Sequence, residues 1–271
     1  MAIFYSIVAG VIQGLTEFLP VSSSGHLVIF HDFFGFEFVD NLAFDSVLHW
    51  GTLVALVLFF WPDLLKYFLA WIRSFSHFNL KTDEEARLAW YLLAGTVPAV
   101  VIGYFFADQI ENNLRSPFLV SVMMILVGII LYFSDQYGQG LKNINQLSLK
   151  NSLVIGVAQA LAFFPGVSRS GITIIAGLSQ KLKRQQAAYF SFLLSTPVVF
   201  GGGLKKILDL TGDQIVGSDI LILFFGFLSS AITGYFCIKY FLKFLQSHSL
   251  KVFAYYRVIL GIVILVILLF R

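Results

Sequence analysis

The apolar positions of this chain fall into long stretches that short polar connections separate. Six stretches are long enough to cross a hydrocarbon core of about 30 Å, and they lie near 42–60, 87–106, 118–134, 187–203, 219–241 and 252–270. Two further segments, about 2–33 and 151–180, are apolar but carry Pro, Gly and serines at their middle. Such an interruption is typical of two half-helices that meet at a bend. The pattern predicts an all-α polytopic membrane protein with six transmembrane helices and two re-entrant helical hairpins.

The two interrupted segments contain the same motif. GVIQGLTEFLPVSSSGH occupies 10–26 and GVAQALAFFPGVSRSGI occupies 156–172, 146 residues further on, and nine of the seventeen positions are identical. Three apolar stretches follow each copy, so the chain divides into repeats of about 1–134 and about 151–271. An odd number of spans in each repeat gives the two repeats opposite topology. We therefore interpret 1–271 as a single membrane domain built from an inverted internal repeat.

Composition supports a membrane protein and excludes several other classes. The chain is 58% hydrophobic and 12% charged, with a mean hydropathy of +0.84, which is far more apolar than a soluble domain of this length. The single cysteine, Cys237, excludes a disulfide framework and a cysteine metal cluster. The net charge of +3 is explained by membrane topology, so we expect no nucleic-acid partner.

The basic residues are concentrated in one set of connections. The segments near 61–87, 135–150, 180–187 and 239–257 carry 13 of the 18 Lys and Arg residues, Arg257 among them. The other connections hold most of the acidic residues, namely Asp32, Glu37, Asp40, Asp108, Glu111, Asp209, Asp213 and Asp219, with only Arg115, Lys205, Lys206 and Arg271 as cations. The positive-inside rule makes the basic side cytoplasmic. Both termini are then external, the first hairpin enters from outside and the second from inside.

The two bends have the composition of an anion site. Val21–Gly25 and Val167–Gly171 each combine hydroxyl donors with a glycine that lets backbone approach a ligand. Half-helix N-termini at such bends direct N–H groups and positive dipole ends at an anion near the bilayer midplane. The alternative is that these small residues serve helix packing in lipid. The candidate phosphate-binding residues are Ser22, Ser24, Gly25, Ser168, Ser170 and Gly171.

Catalytic candidates are divided between the two copies. Arg169 costs at least about 2.5–3.5 kcal/mol within an apolar segment, so it requires a partner or a function. It is either a bidentate phosphate clamp or a structural partner of Glu17. Ser23 and His26 are candidates for nucleophile and base, because His26 is the third residue after Ser23 and the two lie on one helix face. Gln13 lies one helical turn before Glu17, so the two are candidate ligands of a metal ion.

Other polar residues are weaker candidates. His31, His49, His77 and His248 are expected to be structural or interfacial, because they lie at segment ends or in loops. Asp45 begins an apolar span. It either lines the external mouth of the site or acts as a favourable charge at a helix N-terminus.

The motifs Gln13–His26 and Pro165–Thr173 resemble the two signature motifs of the undecaprenyl-diphosphate phosphatases of the bacitracin-resistance type. The stretch FDSVLHWGT at Phe44–Thr52 is also similar to that family, as is the length of the chain. The resemblance implies that the family's essential serine, histidine and arginine are Ser23, His26 and Arg169. It implies Gln13 and Glu17 for the paired Glu/Gln and Glu positions, and it adds Thr173 to the phosphate-binding set. Ser24 stands where many members have Thr, a change that keeps the hydroxyl.

The resemblance implies hydrolysis of undecaprenyl diphosphate to undecaprenyl phosphate and inorganic phosphate at the external face of a bacterial plasma (inner) membrane. This reaction recycles the lipid carrier of cell-wall synthesis, and bacitracin acts on the substrate rather than on the protein. The implied roles are Ser23 as nucleophile, His26 as base and Glu17 as orienting group or cation ligand. A phosphohistidine at His26 is the alternative route. Mg²⁺ or Ca²⁺ is the expected cofactor, and a homodimer is possible.

A transporter is the competing interpretation. Inverted repeats with broken helices are typical of transporters, and a flippase of lipid phosphates or an anion carrier would use Arg169 equally well. A carrier needs binding groups but no nucleophile and base. Ser23, His26 and Glu17 therefore favour the phosphatase.

Overall fold

The computed structural model describes residues 1–34, 41–76, 78–114, 116–138, 140–209 and 217–270. The side chains of 33–34, 41–42, 107–108, 111–113, 205–209 and 217–219 are not described. Several residues named above lie outside this description, in backbone or in side chain. They are Glu37, Asp40, His77, Asp108, Glu111, Arg115, Lys205, Lys206, Asp209, Asp213, Asp219 and Arg271.

The described residues fold almost entirely into α-helices. In chain order they are α1 (Ala2–Phe18), α2 (Ser23–Phe34), α3 (Asn41–Phe59), α4 (Trp61–Ser74), α5 (Glu84–Leu114), α6 (Pro117–Tyr137), α7 (Leu149–Ala160), α8 (Arg169–Ser179), α9 (Arg184–Asp209), α10 (Gly217–Phe244) and α11 (Lys251–Leu269). Short 3₁₀ turns occupy Ile144–Gln146 and Leu161–Phe163. The all-α class is as predicted.

The apolar helices account for five or six membrane spans. Five helices are long and apolar enough to cross a bilayer, within Glu84–Phe106, Pro117–Tyr137, Arg184–Leu204, Ile220–Phe244 and Lys251–Leu269. The sixth candidate is a pair, because α3 passes the same test only together with α4, which bends away from it by 75°. The sequence pattern assigned 61–87 to a connection and missed α4. Its apolar residues Leu65, Phe68 and Leu69 recur at a spacing of three to four residues and share one helix face, which is the pattern of an amphipathic helix.

Each motif folds as a helix, a bend and a second helix. In the first copy α1 ends at Phe18 and α2 begins at Ser23. In the second copy α7 continues into the turn Leu161–Phe163, and α8 begins at Arg169. The two helices of each copy are in contact with one another. The predicted interruptions therefore lie at the Pro and Gly residues of the motif.

Glycines allow the motif helices to pack closely on their neighbours. A side chain at Gly10 of α1 would collide with Gly226 and Ser229 of α10. A side chain at Gly156 of α7 would collide with the backbone of Gly95 of α5. Gly10 and Gly156 occupy the same position of the two motifs. Each motif thus packs against a long apolar helix at the glycine in this motif position.

Several of the basic connections meet at one end of the molecule. Arg87 donates to Asn145 O at 3.1 Å, and Lys142 pairs with Leu182 in an isolated bridge. Arg184 forms an ion pair with Asp135, which is fully buried. One residue assigned to this set was placed wrongly, because Arg257 lies within α11 and is 0% exposed. An arginine counts towards a charged membrane face only if it reaches water, and Arg257 does not.

Candidate active site

Each of the two bends contains a serine with positive φ. Ser22 has φ of 75° and Ser168 has φ of 74°, values that L-residues other than glycine rarely adopt. Ser22 and Ser168 occupy the same motif position. In each bend the serine Oγ accepts a hydrogen bond from the backbone N–H three residues on, Gly25 N at 3.3 Å and Gly171 N at 3.1 Å. Strain of about 1–3 kcal/mol at both places indicates a functional constraint.

A buried arginine joins the two bends. The guanidinium of Arg257 donates to Pro20 O at 3.1 Å in the first bend and to Gly166 O at 2.7 Å in the second. It also donates to Val167 O at 3.1 Å and to Met124 O at 3.3 Å. A planar group with five donors can bind several carbonyls at once. Arg257 therefore fixes the position of one bend relative to the other.

A cavity of about 240 Å³ lies where the two bends meet α3 and α9. Its polar wall includes Glu17, Ser23, Ser24, Ser168 and Arg169. The rest of the wall is formed by Ser46, His49, Trp50, Gln159, Ala162, Phe163, Val198, Val199, Gly202 and Gly203. The N-termini of α2 and α8 both reach the cavity, since Ser23 and Arg169 are their first residues. The positive dipole ends of the two helices there favour an anion.

Glu17 is the centre of the polar network in this cavity. Its side chain is 5% exposed and forms an ion pair with Arg169. Ser23 Oγ donates to Glu17 Oε2 at 2.6 Å, and Gln13 Nε2 donates to the same oxygen at 3.0 Å. The carboxylate, the hydroxyl and the guanidinium that the sequence singled out are therefore in direct contact. Glu17 is the only one of these groups that can take a proton from Ser23 without a change of conformation.

His49 is a cavity residue, although the sequence analysis expected a structural or interfacial role. His49 Nδ1 lies 2.7 Å from Asp45 O and donates to it, which leaves Nε2 as the ring nitrogen available to other partners. His49 Nε2 lies 3.6 Å from Glu17 Oε2. Asp45 itself pairs with His31 Nε2 at 2.8 Å and is not part of the cavity wall.

His26 is directed away from the Ser23 hydroxyl. His26 Nδ1 lies 2.7 Å from Ser22 O, and Nε2 lies 2.7 Å from the hydroxyl of Tyr256. The His26 and Tyr256 rings are stacked, with 5.7 Å between their centres. Both ring nitrogens are thus engaged, and the ring is outside the cavity wall. A role for His26 as the base of Ser23 requires at least one of these hydrogen bonds to break.

Most of the other predicted phosphate-binding residues lie outside the cavity wall. Ser170 Oγ donates to Leu19 O at 2.9 Å, which connects α8 to the first bend. Thr173 Oγ1 donates to Arg169 O at 2.6 Å and is fully buried. Ser22, Gly25, Ser170, Gly171 and Thr173 are absent from the cavity wall, while Ser24 and Ser168 belong to it.

The sequence analysis missed Gln159 and Trp50. Gln159 is 1% exposed and lines the cavity, and neither atom of its amide has a hydrogen-bond partner among the described residues. Trp50 Nε1 is also buried and unpartnered there. The alignment of the two motifs contained a signal for Gln159, which occupies the position of Gln13.

The donor set around Glu17 is small for a metal ion. The described residues contain no cluster of three or more His, Cys, Asp and Glu side chains. However, Gln13 Oε1 is buried and has no hydrogen-bond partner in the part of the chain that the structure describes, and Nε2 of the same amide donates to Glu17. Oxygen donors of this kind suit Mg²⁺ or Ca²⁺, and Mg²⁺ often takes only one or two carboxylates, with water and substrate phosphates as its other ligands. These residues fit a cation that the substrate helps to hold.

Comparisons with known proteins identify the family of this chain. The family model described as "Bacitracin resistance protein BacA" matches residues 6–263. The chain is 43% identical over 268 residues to an undecaprenyl-diphosphatase of Desulforudis audaxviator (strain MP104C), covering 99% of this chain and 98% of that protein. It is 41% identical to the undecaprenyl-diphosphatase of Pelotomaculum thermopropionicum, covering 98% and 97% of the two chains. The resemblance seen in the motifs is confirmed, and the chain belongs to the BacA family of bacitracin resistance proteins.

Proposed function

We propose that this chain is an undecaprenyl-diphosphatase whose reaction takes place in the cavity between the two bends. The observation that carries this proposal is the contact of Ser23 with Glu17 and of Glu17 with Arg169, inside a cavity that two helix N-termini reach. The cavity volume of about 240 Å³ suits a diphosphate headgroup, so the C55 chain lies outside it, along the lipid-facing surface. The full-length relatives named undecaprenyl-diphosphatase favour this activity over the transporter alternative.

Ser23 is the proposed nucleophile. Its Oγ attacks the terminal phosphorus while its proton passes to Glu17 Oε2, 2.6 Å away. The bond from the terminal phosphorus to the bridging oxygen breaks, and undecaprenyl phosphate leaves. Glu17 passes that proton to the departing undecaprenyl phosphate and becomes a carboxylate again. Water then attacks the phosphorus of the phosphoserine and gives a proton to Glu17. The bond from phosphorus to Ser23 Oγ breaks, Oγ takes the proton back from Glu17, and inorganic phosphate leaves with the water oxygen. Phosphoryl transfer chiefly requires that the reacting groups are positioned and that the charge of the phosphates is neutralised.

Arg169 has two partners in succession. Without substrate it is held by Glu17. When the diphosphate enters, the guanidinium binds phosphate oxygens bidentately, which is the geometry for which arginine is suited. Glu17 is then released from its ion pair and is free to accept the Ser23 proton. The structural and functional interpretations of Arg169 thus describe two stages of one turnover.

The role of His26 as base, which the family resemblance implies, stays a prediction. A conformational change that frees His26 Nε2 from Tyr256 would bring it into the reaction, either as base or as the residue that is phosphorylated. His49 Nε2, 3.6 Å from Glu17 Oε2, is proposed to interact with the charged groups of the cavity. Ser24 and Ser168, on the cavity wall, are proposed to donate hydrogen bonds to phosphate oxygens.

A divalent cation is a further proposal. Glu17 and Gln13 Oε1 would hold Mg²⁺ or Ca²⁺ together with the substrate. The cation would neutralise part of the charge of the diphosphate. The unpartnered Gln13 Oε1 supports this assignment.

We also propose that the two motif segments are re-entrant hairpins of an inverted repeat, with the cavity open to the external face. The matching positive φ of Ser22 and Ser168 supports the repeat, as do the matching contacts of Gly10 and Gly156. The cavity meets α9 at 198–203, several turns from Arg184 at the basic end of that helix. The positive-inside rule makes the basic end cytoplasmic, which supports an external site. The homodimer stays a prediction, which light scattering on the purified protein tests.

The test is phosphate release from undecaprenyl diphosphate by the purified chain, with and without a chelator. Ser23→Ala is expected to abolish release, and Glu17→Gln to reduce it by about 10²–10⁴-fold, the usual effect of a lost general base. His26→Ala is expected to be less harmful than Glu17→Gln. An acid-labile, base-stable phosphoenzyme that persists in Ser23→Ala and disappears in His26→Ala would contradict the serine route.

A further inference from the structure

Gln159 lies in the wall of the cavity without a hydrogen-bond partner. It is on α7, one turn before the second bend, and it is 1% exposed. Nε2 and Oε1 of its side chain are both buried, and neither has a partner among the described residues. A buried polar group without a partner costs about 1–3 kcal/mol, so native structures keep few of them. The described residues therefore leave the side-chain amide without a partner, and a ligand in the cavity would supply one.

The first motif shows what kind of partner is missing. Gln13, at the same motif position, donates from Nε2 to the Glu17 carboxylate at 3.0 Å. In the second motif the position of Glu17 is occupied by Phe163, which has no acceptor. Gln159 thus has the donor of Gln13 without the carboxylate. An anion in the cavity would provide oxygen acceptors of the same kind.

The cavity contains a second unpartnered donor. Trp50 lines it from α3, and its buried Nε1 has no partner among the described residues. Indole N–H and the guanidinium of Arg169 are donors only. These donors and Gln159 Nε2 are complementary to a group rich in acceptors, and a diphosphate is such a group.

We propose that Gln159 is a substrate-binding residue whose Nε2 donates a hydrogen bond to a phosphate oxygen of the diphosphate headgroup. This inference rests on the proposed function. Each motif then contributes a glutamine to the site, but for different purposes. Gln13 holds the carboxylate that takes the proton, and Gln159 holds the anion that reacts.

The test compares KM and kcat for undecaprenyl diphosphate in the purified full-length protein and in Gln159→Met, which keeps the side-chain length but has no N–H. KM is expected to rise by about 10- to 100-fold, the usual worth of a hydrogen bond to a charged group, and kcat to change by less than about threefold. Gln159→Glu is expected to raise KM further, because its carboxylate repels the diphosphate. Gln180→Leu, away from the cavity, is the control and should behave as wild type.

Two further measurements separate substrate binding from a structural role. The midpoint of thermal unfolding of Gln159→Met should equal or exceed that of wild type, because an unsatisfied amide is removed. Inhibition by inorganic phosphate or by undecaprenyl phosphate should weaken, and the product that is affected identifies the phosphate group that Gln159 contacts.

Unchanged KM and unchanged inhibition by both products in Gln159→Met would overturn the inference. If that variant does not fold, Gln159→Glu decides, since a wild-type KM there would equally exclude contact with the anion. The wild-type protein in the same assay separates the two proposals. Absence of phosphate release by wild type would overturn the proposed function, whereas an active wild type with an unaltered Gln159→Met would overturn this inference alone.

Discussion

At the scale of single residues, the proposed chemistry depends on the partners of Glu17. A carboxylate that is 5% exposed needs compensation, and Arg169, Ser23 and Gln13 supply it. The same partners are the groups that phosphoryl transfer requires, namely a cation and a hydroxyl. The residues that keep the buried carboxylate stable are therefore the residues that we propose to react when the substrate displaces the ion pair.

Arg169→Lys is expected to lose about 10²-fold or more in kcat/KM, since an ammonium keeps the charge but cannot make the planar fork. Phosphate release by the purified variant is the measurement. Arg73→Lys is the matched control, because Arg73 pairs with Glu85 at an exposed position. Near-normal turnover of Arg169→Lys would remove Arg169 from the catalytic set.

At the scale of elements, two helix–bend–helix units meet at a shared arginine. A serine with positive φ directly precedes α2 in the first bend and α8 in the second. Arg257 of α11 donates to carbonyls of both bends. The glycines of α1 and α7 permit close approach to α10 and α5. The geometry of the cavity is therefore a property of how these helices pack, and changes outside the cavity should alter it.

Arg257→Met is expected to lower the free energy of unfolding by about 3 kcal/mol or more, because it leaves buried carbonyls of both bends without a donor. Chemical unfolding in detergent measures this loss. Arg73→Met, at an exposed position, should change stability by less than about 1 kcal/mol. A stable and fully active Arg257→Met would show that the bends hold their positions without it.

Gly156→Ala is expected to destabilise the protein, because the added methyl group collides with the backbone of Gly95 and backbone cannot move aside cheaply. Gly201→Ala is the control, since a methyl group there has no neighbour within 4 Å. The comparison of the two thermal unfolding midpoints tests the contact between α5 and α7. Equal midpoints would contradict it.

At the scale of the whole molecule, charge decides orientation. Segments from both halves, including 61–87, 135–150 and 180–187, meet at one end through contacts such as Arg87 with Asn145. The positive-inside rule assigns that end to the cytoplasm. The proposed active site would then receive its substrate from the external leaflet.

A cysteine at Asn79 should be protected from an impermeant thiol reagent added to intact spheroplasts, and one at Asn112 should react. Cys237 is buried, so the native thiol contributes little background. Permeabilised cells, in which the Asn79 cysteine should become reactive, are the control. Labelling of the Asn79 cysteine in intact cells would invert the proposed topology.

The sequence by itself determined the class, the family and most of the catalytic candidates. Apolar stretches long enough to span a bilayer are visible in any reading of hydrophobic pattern, so the helices near 87–106 and 118–134 were predictable. The repeated motif identified the bends, because Pro and Gly act locally on the backbone. Glu17, Ser23 and Arg169 stood out because polar residues in apolar segments are costly and hence functional.

Only the tertiary structure decided which polar groups face one another. Residues on one helix face can have different partners. His26 contacts the Tyr256 hydroxyl, whereas Ser23 donates to Glu17. Arg257 was read as a charge of the membrane surface, but packing placed it between the bends. The sequence does not distinguish Gln159 from other glutamines, since whether a side-chain amide has a hydrogen-bond partner depends on its surroundings and not on its residue type. Hydrogen-bond partners distant in sequence are set by packing, and local pattern does not encode them.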